Sequence, residues 1–157
     1  MFKNYILPFL IFLFITFLAA FIGSFFTAKS IPNWYQLLNK PAFAPPNWLF
    51  APAWTLLYLL MTIAAFLVWQ KRKKAKVNRA LILYFIQLTL NALWSVIFFG
   101  FQNLGLAFLE IVILWLFILW TFFNFYKIRK TAGFLFLPYL CWVTFAAILN
   151  LSVWLLN

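Results

Sequence analysis

The chain has 157 residues, 68% hydrophobic and 24% aromatic, with a mean hydropathy of +1.04, more apolar surface than a water-soluble domain of this size can hide. Twelve Lys and Arg face one acid, Glu110, for a formal charge of +11, but they sit in short clusters between apolar runs, which is a membrane topology pattern rather than a nucleic-acid surface. With no histidine and a single cysteine, Cys141, the chain can build no internal disulfide, Cys/His metal site, Ser-His-Asp triad or paired-carboxylate acid/base site, so no metal and no cofactor are expected.

A membrane core needs about 20 apolar residues as helix, and five segments qualify. The first covers about 5–28. Lys3 ahead of an apolar run resembles a signal peptide, but Tyr5 to Phe26 is too long for an h-region and shows no clear small-x-small cleavage site, so it reads as a retained span. Ala19, Gly23 and Thr27 recur at i, i+4, i+8, with Ala20, Ser24 and Ala28 beside them. This small-residue stripe permits close helix approach, expected within the bundle.

The connector 29–46 leads into the second span in the stretch WYQLLNKPAFAPPNWLFAPAW, whose only charge is Lys40. Pro41, Pro45, Pro46 and Pro52 fix φ and remove backbone donors, with Pro52 expected near the start of the helix, where a missing donor costs least. The expectation is a stiff lid with an apolar underside, lying over the bundle.

The remaining spans are expected at about 47–70, 79–100, 104–127 and 131–155, in one all-α transmembrane domain covering 1–157. After the first, the connectors are short, so consecutive helices should be antiparallel. Lys and Arg counting orients them. Lys3, the run from Lys71 to Arg79, and Lys127, Arg129 and Lys130 lie on one side, against Lys29 and Lys40 on the other. The N-terminus is therefore expected inside, with the C-terminus and the aromatic connector outside. The basic run serves as a topology anchor that also meets anionic lipid.

Trp34, Trp48, Trp69 and Trp154 suit the interfacial belt, with Trp120 near it. Trp54, Trp94, Trp115 and Trp142 lie well inside their spans, where an indole N–H needs an acceptor. Gln87, Asn91, Trp94 and Phe98 share one face of the third span. Tyr139, Trp142, Ala146 and Asn150 share one face of the fifth, and Trp54 and Tyr58 are one turn apart on the second. Polar groups inside a span avoid lipid, so these faces are expected to meet. Asn and Gln also act as interhelical glue and tryptophans fill volume, and for each residue that reading stands beside the functional one. Gathered in the outer half beneath the connector, the set describes a cavity for a flat, largely apolar ligand. Glu110, the lone intramembrane carboxylate, is a candidate for proton coupling or for a local hydrogen bond.

The motifs WYQLLNKPAFAPPNW, FAPAWTLLY, LNALWSVIFFG, LPYLCWVTFAAILN and the terminal WLLN, in this order, resemble the TspO/MBR family of tryptophan-rich sensory proteins, related to the mitochondrial translocator protein, nearly end to end. The resemblance implies a five-helix membrane bundle, commonly a homodimer, in a bacterial cell membrane. It implies binding of porphyrins, other tetrapyrroles, sterols or benzodiazepine-site ligands, by a sensor, regulator or transporter. It also implies an alternative, porphyrin degradation, in which Trp54 and Trp142 would be catalytic. Tyr35 and Asn91 match positions that the family places around its ligand, and Glu110 resembles an acidic position in some members. The end AAILNLSVWLLN lacks the Tyr followed by Lys or Arg of the cholesterol-recognition pattern. The ligand-binding set is therefore Tyr35, Trp54, Tyr58, Asn91, Trp94, Tyr139, Trp142, Ala146 and Asn150, with Lys40 or the outer helix ends facing a porphyrin's propionates. Without histidine, metal-free porphyrin is the better partner than haem. A proton-coupled exporter using Glu110 is a further alternative.

Overall fold

A computed structural model describes residues 3–74 and 76–157; Met1, Phe2 and Ala75, and the side chain of Lys3 counted above, lie outside the described set. The chain folds as five helices: α1 Lys3–Ser30, α2 Phe50–Trp69, α3 Val77–Ser95, α4 Leu104–Ile128 and α5 Lys130–Leu156. All five are long and apolar enough to cross a membrane, and the protein is an integral membrane helical bundle. Its surface reads accordingly: Leu7, Phe14, Phe21 and Leu109 are each more than 60% exposed, as side chains solvated by lipid are.

The helices close a ring in an order that differs from the chain order. α1 packs on α2 and α3, α2 on α5, α5 on α4, and α4 on α3. Inside the half nearer the N-terminus, Tyr84, Phe125, Phe136 and Met61 are fully buried. Tyr84 stacks on Phe125 at 6.0 Å and shares a hydrogen bond with Thr16 of α1, so this fully buried hydroxyl has the partner that a water-free interior demands.

The two ends are built differently. At one end a single extended residue, Arg129, links α4 to α5. Its guanidinium donates to Gln70 Oε1 at 2.9 Å, tying this turn to α2. Nearby, the guanidinium of Arg72 lies 4.1 Å from the Trp69 ring and that of Arg79 lies 5.3 Å from the Trp120 ring. Arg72 and Arg79 are thus each placed over an indole at this end of the bundle.

At the other end α3 widens into a π-helical turn, Val96–Gly100, in which the Phe101 N–H reaches back to the Val96 carbonyl at 2.9 Å. Gly100 faces α1 so closely that a Cβ there would stand 2.8 Å from the Phe26 ring. Gln102 turns the chain with φ 56°, and Asn103 caps α4 by accepting from the Leu106 N–H at 2.9 Å. The helix begins at Leu104, as the sequence predicts.

The 31–46 connector crosses this end of the bundle. Its short helical turn Tyr35–Leu37 buries Tyr35 against Phe50, Phe98 and Phe99, with ring centroids 6.3, 6.1 and 5.7 Å away. Asn39 locks the connector to the end of α5: its N–H donates to Asn157 Oδ1 at 3.0 Å and its carbonyl accepts from Asn157 Nδ2 at 2.9 Å. Pro46 precedes the turn Asn47–Leu49, and Pro52 falls in the first turn of α2, where no donor is missed.

Close approach of α4 and α5 depends on Gly133, where a Cβ would lie 2.7 Å from Tyr126 Cβ and 2.8 Å from its Cα. A backbone atom cannot swing aside, so Gly133→Ala is expected to cost about 1–3 kcal/mol through overpacking, despite Ala being the better helix former. A thermal melt in detergent checks this, and a melting temperature equal to the parent's would contradict it.

Candidate ligand cavity

The loop-side half of the ring encloses one large cavity of about 560 Å³, inside the range of small-molecule sites. α1, α2, α3 and α5 all contribute walls, Tyr35 reaches in from the connector, and α4 lends none of the lining side chains. Of the nine residues named from sequence, seven line it: Tyr35, Trp54, Tyr58, Trp94, Trp142, Ala146 and Asn150.

The aromatic groups are arranged as a cluster. Trp54 stacks on Tyr58 at 5.5 Å and meets Trp142 edge-on at 6.4 Å and 84°. Trp94 packs on Phe98 at 5.0 Å. Two of the three indoles differ from the third in one respect that bears on chemistry. Trp94 Nε1–H donates to Asn150 Oδ1 at 3.1 Å, and Asn150 Nδ2 donates to the Leu104 carbonyl at 3.0 Å. Trp54 and Trp142 have no such acceptor among the described residues, so both keep an unused N–H at the cavity wall.

Asn91 and Tyr139 do not line the cavity; they lie beneath it. Tyr58 O–H donates to Asn91 Oδ1, Asn91 Nδ2 donates to Tyr139 Oη at 3.0 Å, and Tyr139 O–H donates to Gln87 Oε1 at 2.9 Å. All four side chains are buried. This row joins α2, α3 and α5 and forms the floor. Asn91 is here a structural link behind Tyr58, because both ends of its amide are already engaged.

Lys40 departs from the expectation that it faces a ligand's carboxylates. Its Nζ donates to the carbonyls of Tyr35, Gln36 and Leu38 at 2.9, 3.2 and 3.0 Å, so all three donors are spent capping the short turn that carries Tyr35. Among the described residues, no Lys, Arg, Asp or Glu lines the cavity. Burial raises the Tyr35 phenol above its ordinary pKa, which keeps it neutral. Trp115 also stands apart: its N–H donates to Thr144 Oγ1 at 2.7 Å across α4 and α5, away from the lining. Glu110 is buried on α4, and neither carboxyl oxygen meets a donor among the described residues.

The reading of α2, α3 and α5 by helical faces missed Thr55, Ser95, Phe99 and Phe145, all of which line the cavity. Each was within reach of the helical pattern: Thr55 is next to Trp54 and one turn from Tyr58, Ser95 is one turn beyond Asn91, and Phe145 is three residues past Trp142. The α1 wall of Ala20, Gly23, Ser24, Thr27 and Ala28 is the small-residue stripe, read from sequence as packing alone. Small side chains serve both ends here, with Gly23 close to Ser95 and its neighbours leaving room for the cavity.

Fold and site together define a polytopic membrane protein with an aromatic, charge-free internal cavity. The TspO/MBR family model matches residues 11–155, and the chain belongs to that family. It is 45% identical over 137 residues to the tryptophan-rich protein TspO of Archaeoglobus fulgidus, covering 87% of this chain and 88% of the relative. It is 41% identical to a tryptophan-rich sensory protein of Cereibacter sphaeroides, covering 92% and 91%. The human translocator protein is 36% identical, covering 87% and 82%.

Asn91→Leu removes two bonds of the row and strands the Tyr58 O–H, while the Tyr139 O–H still donates to Gln87, at a cost of about 1–3 kcal/mol for a buried group left unpaired. Its melting temperature in detergent is expected to fall several degrees and further than that of Tyr58→Phe, which deletes one bond; equal losses would argue against a shared network.

Proposed function

We propose that this protein binds flat, porphyrin-type ligands in the loop-side cavity and acts as a membrane sensor, regulator or transporter of them. The observation that carries the reading is the wall formed by Trp54, Tyr58 and Trp142, rings 5.5 and 6.4 Å apart around a space of about 560 Å³. Stacked and edge-on aromatics suit a planar conjugated ring, and the two unused indole N–H groups offer it hydrogen bonds. The names of the relatives, sensory protein and translocator protein, accord with binding that reports on or moves a small molecule. With Lys40 occupied, a porphyrin's propionates would have to point out of the charge-free interior.

The edge-on contact of Trp54 and Trp142 also favours a second reading, in which these indoles give up an electron to a bound porphyrin under light and oxygen and the ring is degraded. Titration of the purified protein with protoporphyrin tests both. Trp54→Phe combined with Trp142→Phe is expected to weaken Kd about tenfold, a loss of ~1.4 kcal/mol, and an unchanged Kd would remove the ligand from this wall. Under light and oxygen, degradation predicts absorbing products from the parent protein that the double variant and protein-free detergent do not form.

We also propose that the N-terminus faces the interior of the cell, from the asymmetry of Lys and Arg. A membrane-impermeant amine reagent applied to intact cells is then expected to label Lys29 and spare the run from Lys71 to Lys76; the reverse pattern would invert the topology.

A further inference from the structure

We infer that the cavity is loaded sideways, from within the membrane, through a gap between α1 and the first turns of α2. The ligand class is therefore a membrane-dissolved flat molecule rather than one that arrives from water. The inference rests on the ligand-binding reading above and adds the route.

Three observations carry it. The first is where α1 touches α2. Tyr5 meets Phe66 and Trp69 at 6.5 and 6.4 Å, Phe9 meets Phe66 at 5.3 Å, and Phe17 meets Tyr58 at 6.1 Å. Tyr5 and Phe9 lie on the half of α1 remote from the connector, Phe17 lies at its middle where the cavity begins, and among the described residues ring contacts between the two helices stop there. Beyond it α1 leans on α3 instead. A Cβ on Gly23 would stand 3.1 Å from Ser95 Oγ, and Phe26 lies against Gly100. Leaning one way, α1 parts from α2 on the connector side of Phe17, along the upper part of the cavity.

The second observation is which lining residues are exposed. Phe21, Ser24 and Ala28 on α1, and Asn47, Ala51 and Thr55 at the start of α2, are exposed, whereas the lining residues of α3 and α5 are buried or half-buried. The exposure thus falls on the two edges of one gap. The end of the bundle is by contrast shut: Tyr35 is 3% exposed, and its connector is bonded to the end of α5 through Asn39 and Asn157.

The third is chemical. Hydroxyls at the gap are turned back onto their own helices: Ser24 donates to the Phe21 carbonyl, Thr27 to Gly23 and Thr55 to Ala51, at 3.0, 2.9 and 2.8 Å. Each of these three hydroxyls is therefore satisfied without water. A charged ligand would find no counter-charge among the described lining residues on the way in.

The test separates the route from the ligand. In lipid nanodiscs, stopped-flow quenching by protoporphyrin is expected to show that Ser24→Phe and Ala51→Phe each slow dissociation as well as association, by about tenfold, because an obstructed path slows both directions whereas a damaged binding wall speeds dissociation. Asn39→Ala, which frees the connector, is expected to leave both rates unchanged. Rim variants with parental rates, or faster binding in Asn39→Ala, would overturn the portal. A second readout needs no porphyrin: bromine on lipid acyl chains is expected to quench Trp54, measured as parent minus Trp54→Phe, and Ala51→Phe is expected to reduce that quenching. No bromine quenching of Trp54 would overturn the portal by itself, whereas absence of saturable porphyrin binding alongside bromine quenching would overturn the ligand and leave the portal supported.

Discussion

A row of four polar side chains, Tyr58, Asn91, Tyr139 and Gln87, runs through the middle of a bundle surrounded by lipid, and each hands a hydrogen bond to the next. Hydrocarbon offers no donor or acceptor, so a polar group at this depth is tolerated only when the protein satisfies it. Each bond in turn requires α2, α3 and α5 to stand in one register, because the partners come from three helices. The row therefore does two jobs. It holds together the helices that the chain order separates, and it closes the bottom of the cavity, so that everything above it can be hollow.

Above the floor the constraint is relaxed in a graded way. Trp94 and Asn150 still pair, and Asn150 goes on to reach the end of the neighbouring helix through the Leu104 carbonyl. One wall is in this way fixed by hydrogen bonds. Trp54 and Trp142 are positioned only by ring packing, and their N–H groups remain available. Rigid aromatic groups with spare donors, set against a wall of Ala, Gly, Ser and Thr on α1, make a site that is shaped but not prepaid with charge. Selectivity in such a space comes from shape and from a few hydrogen bonds, which suits planar apolar rings better than ions.

The connector 31–46 completes the enclosure by the same physics applied at an interface. Its prolines limit the conformations it loses on folding, Lys40 spends its charge on three carbonyls of the turn that carries Tyr35, and Asn39 pins it to Asn157, just past the end of α5. What reads as a lid is thus a fixed roof, and the less obstructed boundary of the cavity lies between two helices.

Much of this was legible in the residues themselves. Five apolar runs of membrane-spanning length, the position of Pro52 and the inward faces carrying Trp54, Asn91, Trp94, Trp142 and Asn150 follow from helical periodicity and from the cost of polar groups in lipid, which are local properties of sequence. Three things were decided only when the helices packed. Asn91 and Tyr139 share their faces with cavity residues, yet they fall below the cavity because the Tyr58 hydroxyl takes up the amide. Lys40 caps its own turn and stays out of the cavity lining, because the carbonyls of that turn come within reach. The small residues of α1 form a wall and one edge of a gap, because α1 leans on α3 near Gly23 and Gly100 rather than following α2. Periodicity specifies the side of a helix on which a residue lies; depth, partner and tilt are properties of the whole ring of helices, and they exist only once all five are in place.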